Sequence, residues 1–550
     1  MALSKIKSTG IADGSVSTSS ITDGTIVNAD INASANIAVN KVSGAVSSTD
    51  ITAVENNIAL LGFKMAVNDG LTIFNLVDGV VDEFNDESGT DESEGSNDAY
   101  DSTDDFYTNT SPLSYSAGFA ATSVTEPDTS TAGTNPTYGT ITGGVFTVPT
   151  GMTTLNAKVW GSGGGTGQSL NGFGGGGGFS TGDIAVTPGQ TIYAVVAEGG
   201  ADSGINVPAG YRGGETASNT ETGSAGGGGG GLGYVGQVDT PQLSNSAPTD
   251  TPNIYMIAGA GGGGGYIAPN PGNYGGGSGG GTQGTAGGVT PSAPRSQTNR
   301  NGGSGGGGSQ SAGGQGGGTA NQTGSTGAFL TGGSSAADPN TAGGGAGYYG
   351  GGGGGDNPPT DGSSGRHGGG GSSYIGNPQV SSGSTSQSSS TANGGGSDPD
   401  YGPSLNPNNE PTIPVTAAMG AGAPPSNPQT GGGSGYILLS GTGTQVVSST
   451  IVSSTFTATS EPSTARIVVF QENVDTPTLN TDIIASVSRD GTNFSNATLS
   501  DSGYITGSSG QRILTGTVDV SGQPTGTSMR WKLALENNQV KIHGVSLQWK

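Results

Sequence analysis

The residues best suited to chemistry are twelve carboxylates concentrated in residues 78–105, a range without lysine or arginine. Carboxylate oxygens are the ligands that hard cations prefer, so one hypothesis is a Ca²⁺ site. The segment Asp86-Glu-Ser-Gly-Thr-Asp91 lacks the alternating ligand order of an EF-hand loop. The alternative is a solvated acidic linker, in which water and salt screen the repulsion. The carboxylates are Asp78, Asp82, Glu83, Asp86, Glu87, Asp91, Glu92, Glu94, Asp98, Asp101, Asp104 and Asp105.

Residues for catalysis or for a cofactor form no recognisable pattern. The two histidines, His367 and His543, fall in regions of unlike composition. Zinc-ligand spacing and a phosphate-binding loop are missing, and the many glycines make any Gly-x-Gly-x-x-Gly match meaningless. Cysteine is absent, which excludes disulfides and thiolate metal sites. Chance pairs among the 41 acidic residues leave glycoside hydrolysis open, but we expect a protein that is not an enzyme and needs no cofactor.

Composition limits both the core and the partners of this chain. Only 30% of the 550 residues are apolar and 10% are charged, so large cores are not expected over most of the sequence. The net charge of -25 argues against nucleic acid and anionic membranes as partners. No apolar run reaches membrane-spanning length, and Met1–Gly24 lacks the apolar core of a secretory signal. These features suggest a protein released by lysis, such as a virion component, or one exported by a non-classical route.

Uninterrupted glycine runs organise the chain between Gly161 and Gly435. Glycine loses the most backbone freedom on ordering and buries no side chain, so such runs favour neither helix nor strand. They are either flexible linkers or extended threefold helices that pair N–H with C=O between neighbours. Strand-like segments lie between the runs, for example Asn253-Ile-Tyr-Met-Ile-Ala-Gly259, and they favour the second interpretation, a polyglycine II-type helix lattice. The runs are 174–178, 226–231, 261–265, 305–308, 350–355 and 368–371.

Two regions carry patterns typical of β-strands, one before the glycine runs and one after them. Residues 446–550 alternate apolar and polar side chains, which predicts six or more antiparallel strands and hence a β-sandwich. The tryptophans of this range fall on the apolar phase, which favours core packing over an exposed sugar platform. The strands predicted before the runs are 144–149, 155–160, 179–187 and 191–196, and the alternating residues after them include Met529, Trp531, Leu533, Leu535, Val545, Leu547 and Trp549.

The N-terminal residues carry a degenerate repeat followed by one helix. Ile11-Ala-Asp-Gly-Ser-Val16 recurs as Ile21-Thr-Asp-Gly-Thr-Ile26, with too little apolar surface for one chain to bury alone. The repeat is either a disordered leader or a shaft in which several copies wind together. A helix of about three turns is then expected to end near Gly70 and, in a trimer, to pack as a short three-helix plug before a strand over 71–77. Its apolar residues at helical spacing are Val54, Ile58, Leu61 and Met65.

The order of strands, turns and glycine runs resembles a known family. Phe146-x-Val-Pro149, Val159-Trp160-Gly-Ser-Gly-Gly-Gly165, Val186-Thr-Pro-Gly-Gln190 and Gly431-Gly-Gly-Ser-Gly-Tyr-Ile437 look like the glycine-rich domain of phage tail-fibre and adhesin proteins. A similar layout occurs in anaplastic-lymphoma-kinase receptors, but the absence of cysteine argues against that assignment. The resemblance implies a small β-sandwich that carries a bundle of polyglycine helices. The N-terminal repeat is similar to tail-fibre shafts and implies a homotrimer, and residues 465–550 resemble modules of marine phage tail proteins.

Polar inserts separate the glycine runs, and aromatic residues flank the inserts. If the runs form a rigid scaffold, the inserts are its end loops, where binding sites usually lie. Tyrosine rings bind sugars and protein patches at low entropic cost, although they could equally cap the edge of the lattice. The adjacent Arg366 and His367 could meet an anionic glycan. The candidate receptor-binding residues are Tyr266, Tyr274, Tyr348, Tyr349, Arg366, His367, Tyr374 and Tyr401.

These patterns predict a fibrous, multidomain, all-β protein with a polyglycine II-type helix lattice, a short helix near the N-terminus and a C-terminal antiparallel β-sandwich. The resemblance implies a virion tail fibre, made in the host cytoplasm and released by lysis. It would bind phage tail or baseplate proteins and a host surface glycan or outer-membrane protein. The alternative is a structural head fibre, decoration or spacer protein. The predicted domains are a shaft at 1–53, a helix and strand segment at 54–79, an acidic and Ser/Thr-rich connector at 80–140, a glycine-rich domain at 141–445 and the sandwich at 446–550.

Overall fold

A computed structural model describes most of the chain between residues 73 and 550 and part of one helix before it. The predicted shaft at 1–53, most of the polar inserts and Tyr266 lie outside the described residues. The described residues are 54, 57–63, 73–76, 78–121, 130–133, 144–167, 172–196, 198–202, 213–214, 226–238, 248–265, 274–288, 303–318, 322–337, 340–355, 366–389, 391–401, 420–423, 431–505 and 510–550.

Apart from one short helix and two 3₁₀ turns, the regular structure of the described residues is β, and the chain forms two compact units. The first, here called the end unit, combines Met1–Asn109 with Val447–Lys550. The second, here called the glycine unit, is Thr110–Val446 and lies between these two parts in sequence. The predicted start of the C-terminal sandwich at 446 thus lies within one residue of the boundary between the two units. The other boundary precedes the predicted one at 141, because residues 110–121 pair with the strand that ends at Val446.

The end unit is a two-layer antiparallel β-sandwich. Numbered along the whole chain, its strands are β1 Ile73–Leu76, β2 Gly79–Asp82, β3 Ala99–Asp101, β4 Phe106–Thr108, β17 Ser449–Val452, β18 Phe456–Thr457, β19 Thr464–Asn473, β20 Ile483–Ser488, β21 Ser495–Ala497, β22 Ser500–Tyr504, β23 Gln511–Asp519, β24 Ser528–Leu535 and β25 Val540–Trp549. The larger sheet has the order β1-β2-β25-β19-β23-β22, with β4 on β25 and β3 on β4. The smaller sheet has the order β17-β24-β20-β21, with β18 also on β24.

Alternating apolar side chains hold the two sheets of the end unit together. Trp531 and Leu533 of β24 are fully buried in a core that also receives Leu547 and Trp549 from β25. Successive side chains of a strand point to opposite faces, so this phase follows from the sequence pattern. The predicted sandwich and the core position of its tryptophans are therefore confirmed for the described residues.

Residues 79–109 belong to this sandwich. Strand β2 pairs with β25 from Gly79 opposite Gln548 to Asp82 opposite Val545, and Val80 and Tyr107 lie in the core. The sequence predicts an acidic connector here, and the structure differs for a physical reason. Apart from the buried Asp82 and Glu83, the carboxylates are at least partly exposed, while the few apolar residues between them supply short strands that complete the sheet.

The glycine unit contains a second set of sheets, whose strands lead into the glycine runs. Its strands are β5 Thr110–Ala121, β6 Ser130–Gly133, β7 Val145–Thr147, β8 Thr154–Trp160, β9 Gly172–Phe173, β10 Phe179–Ala185, β11 Thr191–Val196, β12 Gly233–Gly236, β13 Ile254–Ala258, β14 Tyr274–Gly275, β15 Val380–Ser386 and β16 Tyr436–Val446. A six-stranded sheet has the order β15-β10-β8-β16-β5-β6, and a four-stranded sheet has the order β13-β12-β11-β7. The strands predicted before the glycine runs and at 253–259 are confirmed.

The four-stranded sheet of the glycine unit is buried on both faces. Ile192 and Ala194 of β11 lie in one apolar cluster with Leu155 and Ile437 of the six-stranded sheet. Val195 of β11 and Ile257 of β13 lie in another cluster, on the opposite face. Burial on both faces explains why β13 reads as a continuous apolar run rather than as an alternating one.

The one helix of the described residues, α1, comprises residues 57–63, and Val54 before them is also helical. Ala59 is fully buried against the end unit, and the ring of Phe63 stacks on that of Phe470 with 4.5 Å between their centroids. The predicted helix is confirmed over these residues, and its end near Gly70 lies outside the described residues. Two short 3₁₀ turns lie at Glu87–Gly89 and Pro248–Asn253.

Candidate functional site

Backbone hydrogen bonds join the glycine runs to one another with a threefold repeat. In residues 260–264, N–H groups three residues apart donate to the same neighbouring segment. Three consecutive residues therefore point their N–H groups in three different directions. The bonds, with N···O distances, are Ala260 to Ala346 (2.8 Å) and Gly263 to Gly343 (2.8 Å), Gly261 to Ser162 (2.9 Å) and Gly264 to Gly165 (2.9 Å), and Gly262 to Gly277 (2.9 Å).

The carbonyl groups of the same run accept hydrogen bonds from three further segments, again at intervals of three residues. The run at 259–265 is thus surrounded by six segments, and the backbone polar groups of residues 260–264 are satisfied without a sheet ladder. The donors are Gly178 and Gly175 to the carbonyls of Gly259 and Gly262, Gly230 and Gly227 to those of Gly261 and Gly264, and Gly371 and Gly368 to those of Ala260 and Gly263.

The run at 350–355 is a second centre of this network. Its N–H groups donate to segments 325–328, 342–345 and 303–306, again with partners repeated every three residues. Its carbonyls accept from segments 314–317 and 333–336 and from Gly369. Two runs that are distant in sequence are therefore held in the same way.

Close approach of backbones makes glycine obligatory at these centres. A Cβ atom added to Gly262 would lie 2.3 Å from the carbonyl oxygen of Gly368. One added to Gly352 would lie 2.2 Å from that of Gln315. Real Cβ atoms do not approach backbone oxygen this closely, so only a residue without Cβ permits the spacing. The glycine composition is therefore a packing requirement at these positions.

An aromatic cluster lies beside this network, and it includes three of the eight candidate residues. Tyr348 and Tyr374 stack with ring centroids 4.3 Å apart and an interplanar angle of 13°. Tyr349 meets Tyr348 edge-on at 5.4 Å, and Phe329 meets both at 5.5 and 5.8 Å. Tyr349 and Tyr374 are partly exposed, whereas Tyr348 keeps only 7% of its surface accessible. The cluster thus exposes parts of the Tyr349 and Tyr374 rings to solvent, while the buried Tyr348 packs beneath them.

Backbone hydrogen bonds fix the cluster on its scaffold. Tyr374 exchanges two N–H···O=C bonds of 2.9 Å with Ile257 of β13. The N–H of Tyr348 donates to the carbonyl of Ser372 at 2.8 Å. Burial, followed by the neighbouring Tyr374 and Tyr349, raises the pKa of Tyr348 to about 12, so its phenol stays neutral at physiological pH. The backbone bonds therefore hold the rings as a pre-organised surface.

The other candidates lie elsewhere. Tyr401 packs against a separate cluster of Trp160, Phe179 and Tyr436. Tyr274 is half-buried in β14, where it pairs with Gly172 of β9. Arg366 is partly exposed, and its carbonyl accepts the N–H of Ala342. The structure thus does not gather the eight residues into a single site.

His367 is the candidate that lies deepest in the glycine unit. Its side chain is fully buried, and Nδ1 accepts the N–H of Gly265 at 2.9 Å. A buried imidazole that accepts a backbone N–H supports the glycine network from within. The sequence suggested exposure because a histidine in a glycine-rich, polar stretch has no apolar neighbours to indicate a core.

Sequence reasoning missed the buried Phe329 and the partly exposed Tyr193 as members of the aromatic cluster. Tyr193 is partly exposed and packs against the cluster from β11. Its position between Ile192 and Ala194, which face the other side, was a usable signal from strand alternation. Phe329 had no comparable signal, because its bridge to Tyr349 forms between irregular segments.

The acidic stretch is held by a buried arginine. Arg530 of β24 is 4% exposed and forms ion pairs with Asp91 at 2.9 Å and with Glu94 at 3.1 Å. Its Nε donates to the carbonyl of Ser453 at 2.8 Å. Among the described residues no group of three His, Asp or Glu side chains could hold a metal ion. The calcium site at 78–105 stays a prediction.

Asp82 is the most buried carboxyl of the stretch. Oδ1 accepts the N–H of Phe84 at 3.1 Å, and no donor among the described residues reaches Oδ2. Burial raises the pKa of Asp82 from 3.8 to about 7, with smaller contributions from Asp86 and Glu83. Burial likewise raises the pKa of Glu83 to about 7, with the charge of Asp105 adding to it.

We expect the stability of the end unit to fall between pH 4 and pH 8. The folded state holds the proton of Asp82 more tightly than the unfolded state, so the stabilisation is complete below 3.8 and is lost as the pH rises through about 7. Such a shift corresponds to roughly 4 kcal/mol at full ionisation. Asp82→Asn removes that cost but adds an unpaired N–H, so a net gain of about 1 kcal/mol is expected at pH 8.

Urea denaturation at pH 5 and pH 8, followed by tryptophan fluorescence, measures this effect. Asp104→Asn is the matched control, because Asp104 is exposed in the same stretch. A pH dependence equally steep in Asp82→Asn and in the wild type would contradict the assignment.

Neither a scan against protein-family models nor a search of the curated proteins finds a match to this chain. Among the described residues no helix has the length and apolar content that crossing a membrane requires. The arguments for function therefore rest on the residues themselves.

Proposed function

We propose that this protein is a receptor-binding tail fibre of a tailed bacteriophage, which attaches the virion to the host surface through the glycine unit. The observation that carries the proposal is the partly exposed tyrosine cluster on a hydrogen-bonded glycine scaffold. Aromatic faces bind sugar rings and apolar protein patches, and a rigid base lowers the entropic cost of binding. The ligand is a host surface glycan or an outer-membrane protein.

The glycine runs act in this proposal as a polyglycine II-type lattice. Extended helices of this type have three residues per turn. The partners repeated every three residues around 259–265 and 350–355 support that geometry. The lattice keeps the aromatic residues in place without a large apolar core.

The protein functions in the virion as a homotrimer that binds phage tail or baseplate proteins, and it reaches the medium by host lysis. Three copies of a weak contact multiply affinity when all can engage one cell surface. The net charge of -25 suits a particle that must stay dispersed in solution.

A structural role as head fibre, decoration or spacer is the second candidate. The burial of His367 and of most of Tyr348 favours it, because these residues cap or fill the scaffold instead of facing a receptor. In that case the lattice is only a stiff spacer, and the aromatic surface has no ligand.

We expect the double variant Tyr349→Ala, Tyr374→Ala to bind susceptible bacteria at least tenfold more weakly than the wild type. Central aromatic contacts contribute about 1–3 kcal/mol each, although both truncations also loosen local packing. The measurement is binding of purified full-length protein to a panel of candidate host bacteria, together with competition against phage adsorption.

Tyr504→Ala is the matched control, because Tyr504 is 63% exposed and lies in the end unit. It should leave binding unchanged. If the wild type binds none of the bacteria and virions with the altered tyrosines stay fully infectious, the spacer role replaces the receptor-binding one.

A further inference from the structure

A short polar turn lies beside the partly exposed tyrosines of the aromatic cluster. Residues 309–312, here called the polar turn, close through the N–H of Ser309, which donates to the carbonyl of Ala312 at 2.9 Å. The three residues after Ser309 are exposed. A Cβ added to Gly308 would clash with the carbonyl oxygen of Tyr349, so the chain that enters the turn lies directly against the backbone of that tyrosine. The polar turn and Tyr349 are therefore immediate neighbours.

Gln310 joins the polar turn to the other exposed tyrosine. Its Nε2 donates to the carbonyl of Ser373, the residue before Tyr374, at 2.7 Å and to the carbonyl of Thr282 at 3.2 Å. Because both acceptors are carbonyl oxygens, the nitrogen of the carboxamide must face them, and both of its N–H groups are used. Among the described residues no donor reaches Oε1 of Gln310. The exposed side chain therefore offers a ligand one fixed hydrogen-bond acceptor next to the cluster.

Among the described residues, no charged side chain contributes to the pKa shifts of the clustered tyrosines. Burial alone raises the pKa of Tyr374, and burial followed by Tyr374 and Tyr349 raises that of Tyr348. Elsewhere in the glycine unit a carboxylate does act in this way, since Asp400 adds to the effect of burial on the pKa of Tyr436. An acceptor oxygen beside rings without charged neighbours favours a ligand that donates hydroxyl groups, and it repels carboxylate and sulfate oxygens.

The size of this surface favours a sugar over a protein as the ligand. The exposed groups that the structure describes here are a few aromatic rings and one short turn. A standard protein–protein interface takes roughly 20–30 residues from each partner. A sugar ring needs only an aromatic face and a few polar groups that fix its orientation.

We propose that the rings of Tyr349 and Tyr374 and the polar turn together bind an uncharged saccharide, with Gln310 accepting a hydrogen bond from a sugar hydroxyl. The inference rests on the proposed function, because it names the class of ligand that the same tyrosines bind. The rings cover the apolar C–H face of the sugar. Gln310 determines specificity, because a site built to pair with a hydroxyl group rejects ligands that lack it. The net charge of -25 further disfavours polyanionic ligands.

Binding of the purified full-length protein to matched pairs of polysaccharides tests the proposal. The neutral probes are dextran, galactan and mannan, and their anionic counterparts are dextran sulfate, polygalacturonate and polymannuronate. We expect the wild type to bind at least one neutral probe about tenfold or more tightly than its counterpart. Gln310→Ala should weaken that binding roughly fivefold, the loss expected for one neutral hydrogen bond.

Gln310→Lys separates recognition by Gln310 from a merely structural role. It replaces the acceptor with a cationic donor, so the preference for neutral over anionic probes should fall about tenfold. A loss of local order would weaken both kinds of probe alike. Gln322→Ala is the matched control, because Gln322 is exposed and its carbonyl lies against Gly355, at the opposite end of the run that follows Tyr349. It should bind like the wild type.

Three results would overturn the proposal. They are binding of the wild type to none of the neutral probes, tighter binding to an anionic probe, and equal binding by Gln310→Ala and Gln322→Ala.

Periodate treatment of susceptible bacteria, which cleaves the vicinal diols of sugars, distinguishes failure of this inference from failure of the receptor proposal. If the wild type binds the bacteria equally before and after treatment, the saccharide inference is wrong and the receptor role stands. If the wild type binds a neutral probe but none of the bacteria, the receptor role is wrong and the saccharide site stands.

Discussion

Alanine at Gly262 is expected to destabilise the glycine unit by about 3–5 kcal/mol, although glycine-to-alanine changes in compatible backbone are usually stabilising. The new methyl group would lie 2.3 Å from the carbonyl oxygen of Gly368, so one of the two segments must move. Movement breaks two bonds of Gly262: the one its N–H donates to the Gly277 carbonyl and the one its carbonyl accepts from the N–H of Gly175. Buried backbone groups left without partners add about 1–3 kcal/mol each.

Gly431→Ala is the matched control in the same unit. A Cβ there would lie no closer than 3.4 Å to any atom, an ordinary contact, so its effect should stay within about 0.5 kcal/mol. Calorimetric unfolding gives the stability difference, and hydrogen exchange over 259–265 reports the local bonds. Exchange at random-coil rates in the wild type, with no difference between the two variants, would sink the scaffold and the receptor proposal with it.

Replacement of Arg530 by methionine should destabilise the end unit by about 3 kcal/mol and release the acidic stretch. The arginine side chain is buried, and its loss leaves the Ser453 carbonyl without the Nε donor. Asp91 and Glu94 are more exposed and can return to water, which keeps the cost below that of breaking a fully buried pair. Without the pairing, repulsion among the neighbouring carboxylates favours the open segment.

Lys532→Met is the control, because it removes the same charge two residues along β24, where the ammonium lies 4.5 Å from the centre of the Phe494 ring. Its effect should be below about 1 kcal/mol. Tryptophan fluorescence in urea measures stability. Hydrogen exchange at Asp91 and Ser96, whose N–H groups bond to Val452 and Thr450, measures release of the stretch. Equal protection in both variants would contradict the anchoring role.

Much of the fold was readable from short-range patterns. The alternation at Trp531 and Leu533 predicted the inward face of β24, and the apolar run at 253–259 predicted β13. The break in composition near 446 coincided with a unit boundary. Both signals are local, since strand periodicity and glycine content depend on neighbours within a few residues.

The candidate site was only partly readable in this way. Tyrosines flanking glycine runs drew attention to Tyr348, Tyr349 and Tyr374, which the structure brings together. The same criterion selected Tyr401 and His367, which lie in a separate cluster and in a buried position. A side chain next to a glycine run projects from its own segment. Whether that side chain is exposed or buried depends on which other segments pack beside it.

Local sequence was sufficient to establish an all-β chain with no cysteine chemistry, strands in the correct phase and a backbone that only glycine could pack so closely. Which distant segments meet had to come from the folded molecule. Gly79–Asp82 pairs with a strand that ends at Trp549, and Thr110–Ala121 pairs with Tyr436–Val446. Glycine runs lack the side chains that distinguish one neighbour from another, and acidic turns hide the few apolar residues between them. Pairing between strands that are hundreds of residues apart produces no sequence pattern in either strand. It depends on which strand edges and sheet faces remain free after the other elements have packed.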